Sequence, residues 1–454
     1  MTETPEMTET ETAPPVDDAS ETRDALEPPA VGVGGETGAV LERVAREIGT
    51  PAFVYFWDHV VARVGSLRRA YGGLMGVSYA MKCNPHPEFL RRMRGLVDTL
   101  DVSSGGELSA GLAAGWEPER ISFTGPAKRD PELEAAVAAG REGIGEVIVE
   151  SPAEALRLDR IAHRLGRRPG VLIRIAPARV PKGFGSTMSG RPTQFGFDEE
   201  DLEDQLPAVL SLPNLRFRGF HIYSGTQCLR PDAIAENYRI FIDLFRRTAA
   251  RFDLRPAKLI FGSGMGIPYH EGDRPVSPSE VAELALPSLM ALKAEPRFAG
   301  ASMLLETGRF LVGEAGIYLT RVVGRKDSRG RRLAVCDGGM NHHLGACGLL
   351  GMVLHKNYRI FKVGAPRERH VPAPADPGGE AFDLYGPLCT SVDRLGSGVK
   401  LPGLEIGDVV GVHCSGAYGA TASPVGFISH PRPFEVLVET RGGRTAIDDI
   451  SRKG

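Results

Sequence analysis

Short apolar runs alternate with amphipathic, Ala-rich stretches from about residue 50 to residue 310. Thr50–Phe56, Val77–Ala80, Ile121–Thr124, Val147–Val149, Val171–Ile175, Phe217–Ile222, Leu259–Phe261 and Met303–Leu305 have the length and β-branched or aromatic content of buried strands. Between them, Glu107–Ala114, Glu132–Ala139, Ala153–Leu165 and Glu236–Arg251 repeat apolar residues at helical spacing. Regular strand–helix repetition over roughly 250 residues predicts a parallel (β/α)8 barrel, an α/β fold, across residues 65–310. After Gly308 the pattern changes. Strand-like runs at Ile317–Val323, Leu333–Cys336, Val409–His413 and Phe434–Glu439 are separated by Gly, Pro and Asp turns, which predicts a second, all-β domain over residues 311–454. Residues 364–381 read as a polar, Pro-rich loop. Residues 1–36 hold ten acidic residues against Arg23 and are expected to be a disordered acidic tail.

Composition narrows the function classes. The 454 residues are 42% hydrophobic and 24% charged, ordinary values for a water-soluble chain of two or three domains. A formal charge of −3 gives no electrostatic case for nucleic acid or an anionic membrane. No apolar run approaches the length of a spanning helix. Six Cys with no CxxC pair exclude a disulfide scaffold and offer no zinc ribbon, so no metal is expected. The N-terminus shows no basic segment leading into an apolar one, so the expected compartment is the cytoplasm.

The chemistry-bearing residues cluster at strand ends, where a barrel builds its site. Lys82 follows Tyr79-Ala80-Met81 in an apolar setting, which predicts a lowered pKa and a nucleophilic amine. His221 ends one strand and is followed by Ser224-Gly225; Glu306 ends another, and Arg309 lies just beyond it. Gly262-Ser263-Gly264-Met265-Gly266 follows a third and can aim backbone N–H groups at a phosphate. An amine for a Schiff base, a phosphate cradle, an imidazole and a buried carboxylate together fit pyridoxal 5'-phosphate (PLP).

With these motifs, the chain resembles the fold-type III PLP-dependent decarboxylases, the group of diaminopimelate, ornithine and arginine decarboxylases. The likeness runs from about residue 50 to residue 440 and includes Asp101-Val102-Ser103-Ser104-Gly105-Gly106-Glu107, Asp337-Gly338-Gly339-Met340, Gly386-Pro387-Leu388-Cys389, Gly407-Asp408 and Gly416-Ala417-Tyr418. The resemblance implies that Lys82 carries PLP, His221 stacks on its ring and Glu306 pairs with the ring nitrogen. It implies that Ser224, Gly264, Gly266, Arg309 and Tyr418 surround the phosphate, with Asp101 and Glu107 ordering the cofactor. It implies a homodimer with shared sites, in which Cys389 enters from the partner and protonates the carbanion. It also implies a split β-domain, residues 37–64 joining residues 311–454. Related alanine racemases place an Arg where Glu306 stands, so Glu306 argues for decarboxylation.

Two departures bear on substrate. Diaminopimelate decarboxylases follow the active-site Cys with Glu-Ser-Gly-Asp or similar, and ornithine decarboxylases with Asp; here the run is Cys389-Thr390-Ser391-Val392-Asp393. The carboxylate-clamping Arg of diaminopimelate enzymes is absent from Asn341-His342-His343-Leu344-Gly345-Ala346-Cys347-Gly348. The distal pocket, with Thr390, Asp393, His342 and His343 as expected substrate contacts, resembles the secondary-metabolite branch that decarboxylates carrier-protein-tethered amino acids such as glutamyl. An acyl carrier protein is therefore an expected partner. The alternatives are decarboxylation of free diaminopimelate or another diamino acid, and a non-catalytic PLP-binding or regulatory homologue.

Overall fold

The computed structural model describes residues 35–349, 356–364 and 379–451. The expected tail up to residue 34, and most of the Pro-rich loop, lie outside the described residues.

Eight parallel strands close on themselves. Gly76–Ala80, Thr99–Val102, Ile121–Phe123, Glu146–Val149, Gly170–Ala176, Arg216–Ile222, Lys258–Gly262 and Ser302–Thr307 pair in chain order, and the last pairs with the first. Such strands are covered on both faces, by helices outside and side chains inside, so they read as nearly unbroken apolar runs; Gly170–Ala176 is buried throughout. The outer helices are amphipathic. Pro231–Arg251 starts with Pro in its first turn and presents Tyr238, Phe241 and Phe245 to the barrel wall, with Tyr238 and Phe245 meeting Phe261 edge-on.

Inside the barrel, Ile148, Leu172, Ile260 and Leu304 form a separate apolar cluster. Strand side chains alternate with period two, so the residues two further on share the inward side. Those residues are Glu150, Arg174, Gly262 and Glu306. The apolar layer therefore floors a polar layer at the C-terminal ends of the strands.

The second sheet runs Arg394–Leu401, Glu380–Tyr385, Arg331–Cys336, Gly316–Ser328, Ala52–Phe56, Phe434–Arg441, Arg444–Asp449. Val409–Val412 also pairs with Gly316–Ser328, and Ile360–Lys362 pairs with Val409–Val412. Ala52–Phe56 lies antiparallel to one central neighbour and parallel to the other, so a strand preceding the barrel is built into the sheet that follows it. The helix Gly35–Glu47 covers this region through Leu41 and Val44, and the helix Trp57–Tyr71 leads from the sheet into the barrel. Aromatic rings close the junction: Phe89 of the barrel stands edge-on to Tyr55 at 5.0 Å and to Trp57 at 5.6 Å.

Two further contacts fix the second sheet over the barrel mouth. Asn84 donates to the Gly416 carbonyl at 3.1 Å, and the Tyr418 N–H donates to the Cys83 carbonyl at 2.8 Å. A Cβ on Gly416 would stand 1.8 Å from the Val312 carbonyl oxygen, so only glycine permits this approach.

Candidate functional site

Lys82 sits on a single 3-10 turn, Met81–Cys83, at the end of the Gly76–Ala80 strand. Its ammonium stands 5.7 Å from the centre of the Tyr223 ring and makes no hydrogen bond among the described residues. The other buried lysine is different: Lys128 Nζ donates to Glu154 Oε1 and to the Gly125 carbonyl, both at 2.6 Å. The expectation of a lowered pKa at Lys82 is corrected here. Burial does oppose its charge, but the carboxylates of Glu306 and Asp101 outweigh burial and hold the amine above the ordinary lysine value.

Glu306, fully buried, accepts a hydrogen bond from His221 Nε2 at 2.9 Å. Burial pushes His221 below the usual histidine value in spite of this carboxylate. The imidazole is thus neutral near pH 7, with the Nε2 proton assigned from its acceptor. Burial works against the Glu306 charge, yet the His221 contact and the charges of Lys82 and Arg174 keep it well below the ordinary carboxylate range. Asp101 moves the other way. Burial and the Glu306 charge push it up, although Ser122 and Thr124 donate to its Oδ1 at 2.9 and 2.5 Å. Glu107 is half-buried, accepts from the Ser103 N–H at 2.7 Å in the turn before its helix, which Ser104 caps, and is likewise raised by burial.

Sequence reasoning missed Arg174 and Glu150. They form a buried pair, Arg174 Nη1 lying 3.0 and 3.1 Å from the two carboxylate oxygens, with the guanidinium 4.5 Å from the centre of the Phe195 ring. The signal was available: an Arg inside an otherwise apolar strand is a buried charge that needs a partner.

Around the Gly-rich turn, Gly264 adopts φ +68 and a Cβ there would meet the Phe184 ring at 2.6 Å. Ser224 donates to Asn237 Oδ1 at 2.9 Å. The Arg309 guanidinium lies 4.7 Å from the Tyr418 ring centre and 5.5 Å from that of Tyr269. Tyr418 holds a left-handed φ of 56, a strained conformation fixed by the bond to Cys83. Four buried polar atoms here lack a partner: His221 Nδ1, Asp101 Oδ2, Asn237 Nδ2 and Arg309 Nε. Buried groups of this kind are ordinarily satisfied, so the set marks a polar ligand. An unpaired amine, a buried carboxylate with an imidazole, and a glycine turn beside a guanidinium whose Nε–H has no partner fit PLP group by group.

Cys389 and the expected substrate contacts lie in the second domain. Cys389 is exposed and Thr390 half-buried on the turn after Glu380–Tyr385. Asp393 is buried and clamps this turn: its carboxylate accepts from the Met340 N–H at 2.6 Å and the Leu388 N–H at 2.8 Å. His342 and His343 lie in a turn, and both are buried. His342 Nε2 meets the Pro431 carbonyl at 2.9 Å, and His343 Nε2 meets Ser415 Oγ at 2.9 Å. Both imidazoles are engaged within the second domain.

Residues 57–313 match the family described as pyridoxal-dependent decarboxylase, pyridoxal binding domain. The L-glutamyl-(BtrI acyl-carrier protein) decarboxylase of Niallia circulans is 34% identical over 422 residues, 92% of this chain and 94% of its own. A diaminopimelate decarboxylase of Aquifex aeolicus is 30% identical over 408 residues, 88% of this chain and 90% of its own. The solved structure of diaminopimelate decarboxylase from Helicobacter pylori complexed with L-lysine shares the fold, with TM-score 0.77 and 24% identity over 91% of this chain and 96% of that one.

The burial of His343 makes a prediction about acid stability. Burial pulls its imidazole from 6.5 down to about 3. Between those values the unfolded chain binds the proton and the folded chain does not, so stability rises with pH through this window and is complete above the unfolded value. Going from about pH 7 to about pH 5 should therefore cost about 2 kcal/mol at this residue. Denaturant titrations of wild type and His343→Gln at both pH values measure it: the wild-type advantage should shrink by that amount at the lower pH. A constant difference would mean that His343 is protonated within the fold.

Proposed function

The chain belongs to the pyridoxal-dependent decarboxylases and is a PLP-dependent amino-acid decarboxylase; from that premise we propose that it acts on an amino acid whose side-chain carboxyl is tethered as a thioester to an acyl carrier protein. The α-carboxylate must be free, because it leaves as CO2, and the α-amine must be free, because PLP held by Lys82 would engage the substrate through it. Any tether is therefore on the side chain, and a thioester makes that distal end neutral. The observation that carries this reading is Thr390, a neutral residue directly after Cys389. The similarity to a decarboxylase named for an L-glutamyl carrier protein supports it, and makes γ-glutamyl thioester the first candidate. The setting this implies is bacterial secondary metabolism in the cytoplasm.

Bound PLP supplies an electron sink for the pair left on Cα when CO2 departs. In the proposed arrangement, Lys82 would hold the cofactor and His221 would support its ring. Glu306, ionised in its buried setting, favours a protonated ring nitrogen, which deepens the sink. Gly264, Gly266, Ser224, Arg309 and Tyr418 hold the phosphate, while Asp101 and Glu107 order the face around Lys82. The active unit is a homodimer. Cys389 of each subunit reaches the other's barrel and delivers a proton to Cα; its exposure in the single chain suits that role.

Three outcomes test these assignments. Borohydride reduction of the yellow holoenzyme should fix a pyridoxyl group on Lys82, read by peptide mass spectrometry; a label on Lys128 would overturn the assignment. Mixing inactive Lys82→Ala and Cys389→Ala proteins should restore up to about a quarter of wild-type activity after random exchange, since each heterodimer has one intact site. Dead mixtures with proven exchange would place Cys389 within its own subunit's site or outside it. Finally, CO2 release from γ-glutamyl-loaded carrier protein should exceed that from free meso-diaminopimelate or ornithine by about 100-fold or more in kcat/KM, because a charged distal group is desolvated without a partner. Free diaminopimelate turned over at about 10⁴ M⁻¹s⁻¹ or faster would favour the diamino-acid alternative.

A further inference from the structure

A long connection at the mouth of the barrel spans Pro177 to Gly196, between the Gly170–Ala176 and Phe197–Asp198 strands. It contains Arg179, Lys182 and Arg191 and no Asp or Glu, in a chain of net charge −3. All three side chains are exposed. Arg179 is offset by Glu236 at 3.0 Å, whereas Lys182 and Arg191 form no ion pair among the described residues.

The underside of this connection grips the candidate cofactor site. Ser186–Thr187 pairs with Gly225–Thr226, and the Met188 N–H donates to the Ser224 carbonyl at 2.7 Å. The Phe184 ring covers Gly264, Phe195 lies against Arg174, and the Gly196 N–H donates to Glu150 at 3.1 Å. The inner face is thus tied to residues of the site, and the outer face is basic. Exposed charges do little for one small buried ligand, because water and salt screen them beyond about 10 Å. They act strongly on a large partner that presents several opposite charges at once.

Resting on the carrier-tethered reading above, we propose that the outer face of residues 177–196, centred on Lys182 and Arg191, is the docking surface for an acidic face of the carrier protein. The same charges suit the phosphodiester of a phosphopantetheine arm, whose thioester end is then directed over the rim into the barrel mouth.

The test compares wild type with Lys182→Glu/Arg191→Glu and with the neutral Lys182→Met/Arg191→Met on two substrates. One is a phosphopantetheinylated carrier protein loaded with γ-glutamyl thioester; the other is γ-glutamyl pantetheine thioester, which lacks both protein and phosphate. Charge reversal should raise KM for the loaded carrier about 10-fold or more with kcat nearly unchanged, and neutralisation should raise it less. Added salt should raise the wild-type KM for the carrier but flatten in the reversed variant. Turnover of the pantetheine thioester should be the same in all three proteins, which also reports correct folding. Wild-type carrier kinetics in the reversed variant would overturn the docking surface alone. Wild type that handles neither thioester better than free glutamate would overturn the substrate reading, and the docking surface with it.

Discussion

A carboxylate sits ionised where water does not reach, and the barrel mouth is organised around keeping it so. Burying the charge of Glu306 would by itself cost several kcal/mol. The Nε2–H of His221 meets it directly, and Lys82 and Arg174 supply positive charge around it. Arg174 is itself balanced by Glu150. Two cations then stand against two carboxylates, which leaves Asp101 as the third carboxyl in a closed space. Burial and the neighbouring Glu306 charge push it up, while Lys82 pulls the other way. The raised pKa of Lys82 and the lowered one of Glu306 are two sides of the same attraction, and the neutral state of His221 lets its ring donate a hydrogen bond without adding charge.

The scaffold delivers these groups by simple periodicity. Each inward apolar residue of the floor is followed two positions later by a member of the polar layer, so the strand pleat that buries Leu304 also aims Glu306 inward. The floor excludes water from below. The second domain closes the mouth from above through contacts that admit little variation: the backbone of Gly416 against Val312, and Tyr418 bonded to the carbonyl beside Lys82. Holding Tyr418 in a left-handed conformation costs on the order of 1–3 kcal/mol, which the surrounding packing must supply. The strand Ala52–Phe56 makes this possible, because it ties chain on both sides of the barrel into one sheet.

Much of this was legible in the chain. Apolar runs at regular spacing mark barrel strands because parallel strands are covered on both faces, and Lys82, His221, Glu306 and the Gly262–Gly266 turn stand where such strands end. What was not legible depends on distance through space. The apolar neighbours of Lys82 in sequence suggested a depressed pKa, whereas its neighbours in the fold are Asp101 and Glu306, far away along the chain. Arg174 and Glu150 become a pair only when adjacent strands align. The chain does not reveal that the turn folds the Asp393 carboxylate back onto the Leu388 and Met340 N–H groups.

These placements separate two demands on the molecule. Buried charges in the barrel are paired, Arg174 with Glu150 and Lys128 with Glu154, so changing one member strands its partner at a cost of several kcal/mol. That network suits a cofactor whose requirements do not vary. The Gly386–Asp393 turn obeys a different constraint: Asp393 holds its backbone, while Cys389 is exposed and Thr390 only half-buried, and neither joins the charge network. On the reading proposed above, substrate choice resides there. A residue at position 390 can change from acidic to neutral without disturbing the fold or the electron sink, because the clamp acts through backbone N–H groups and is indifferent to the side chain it presents.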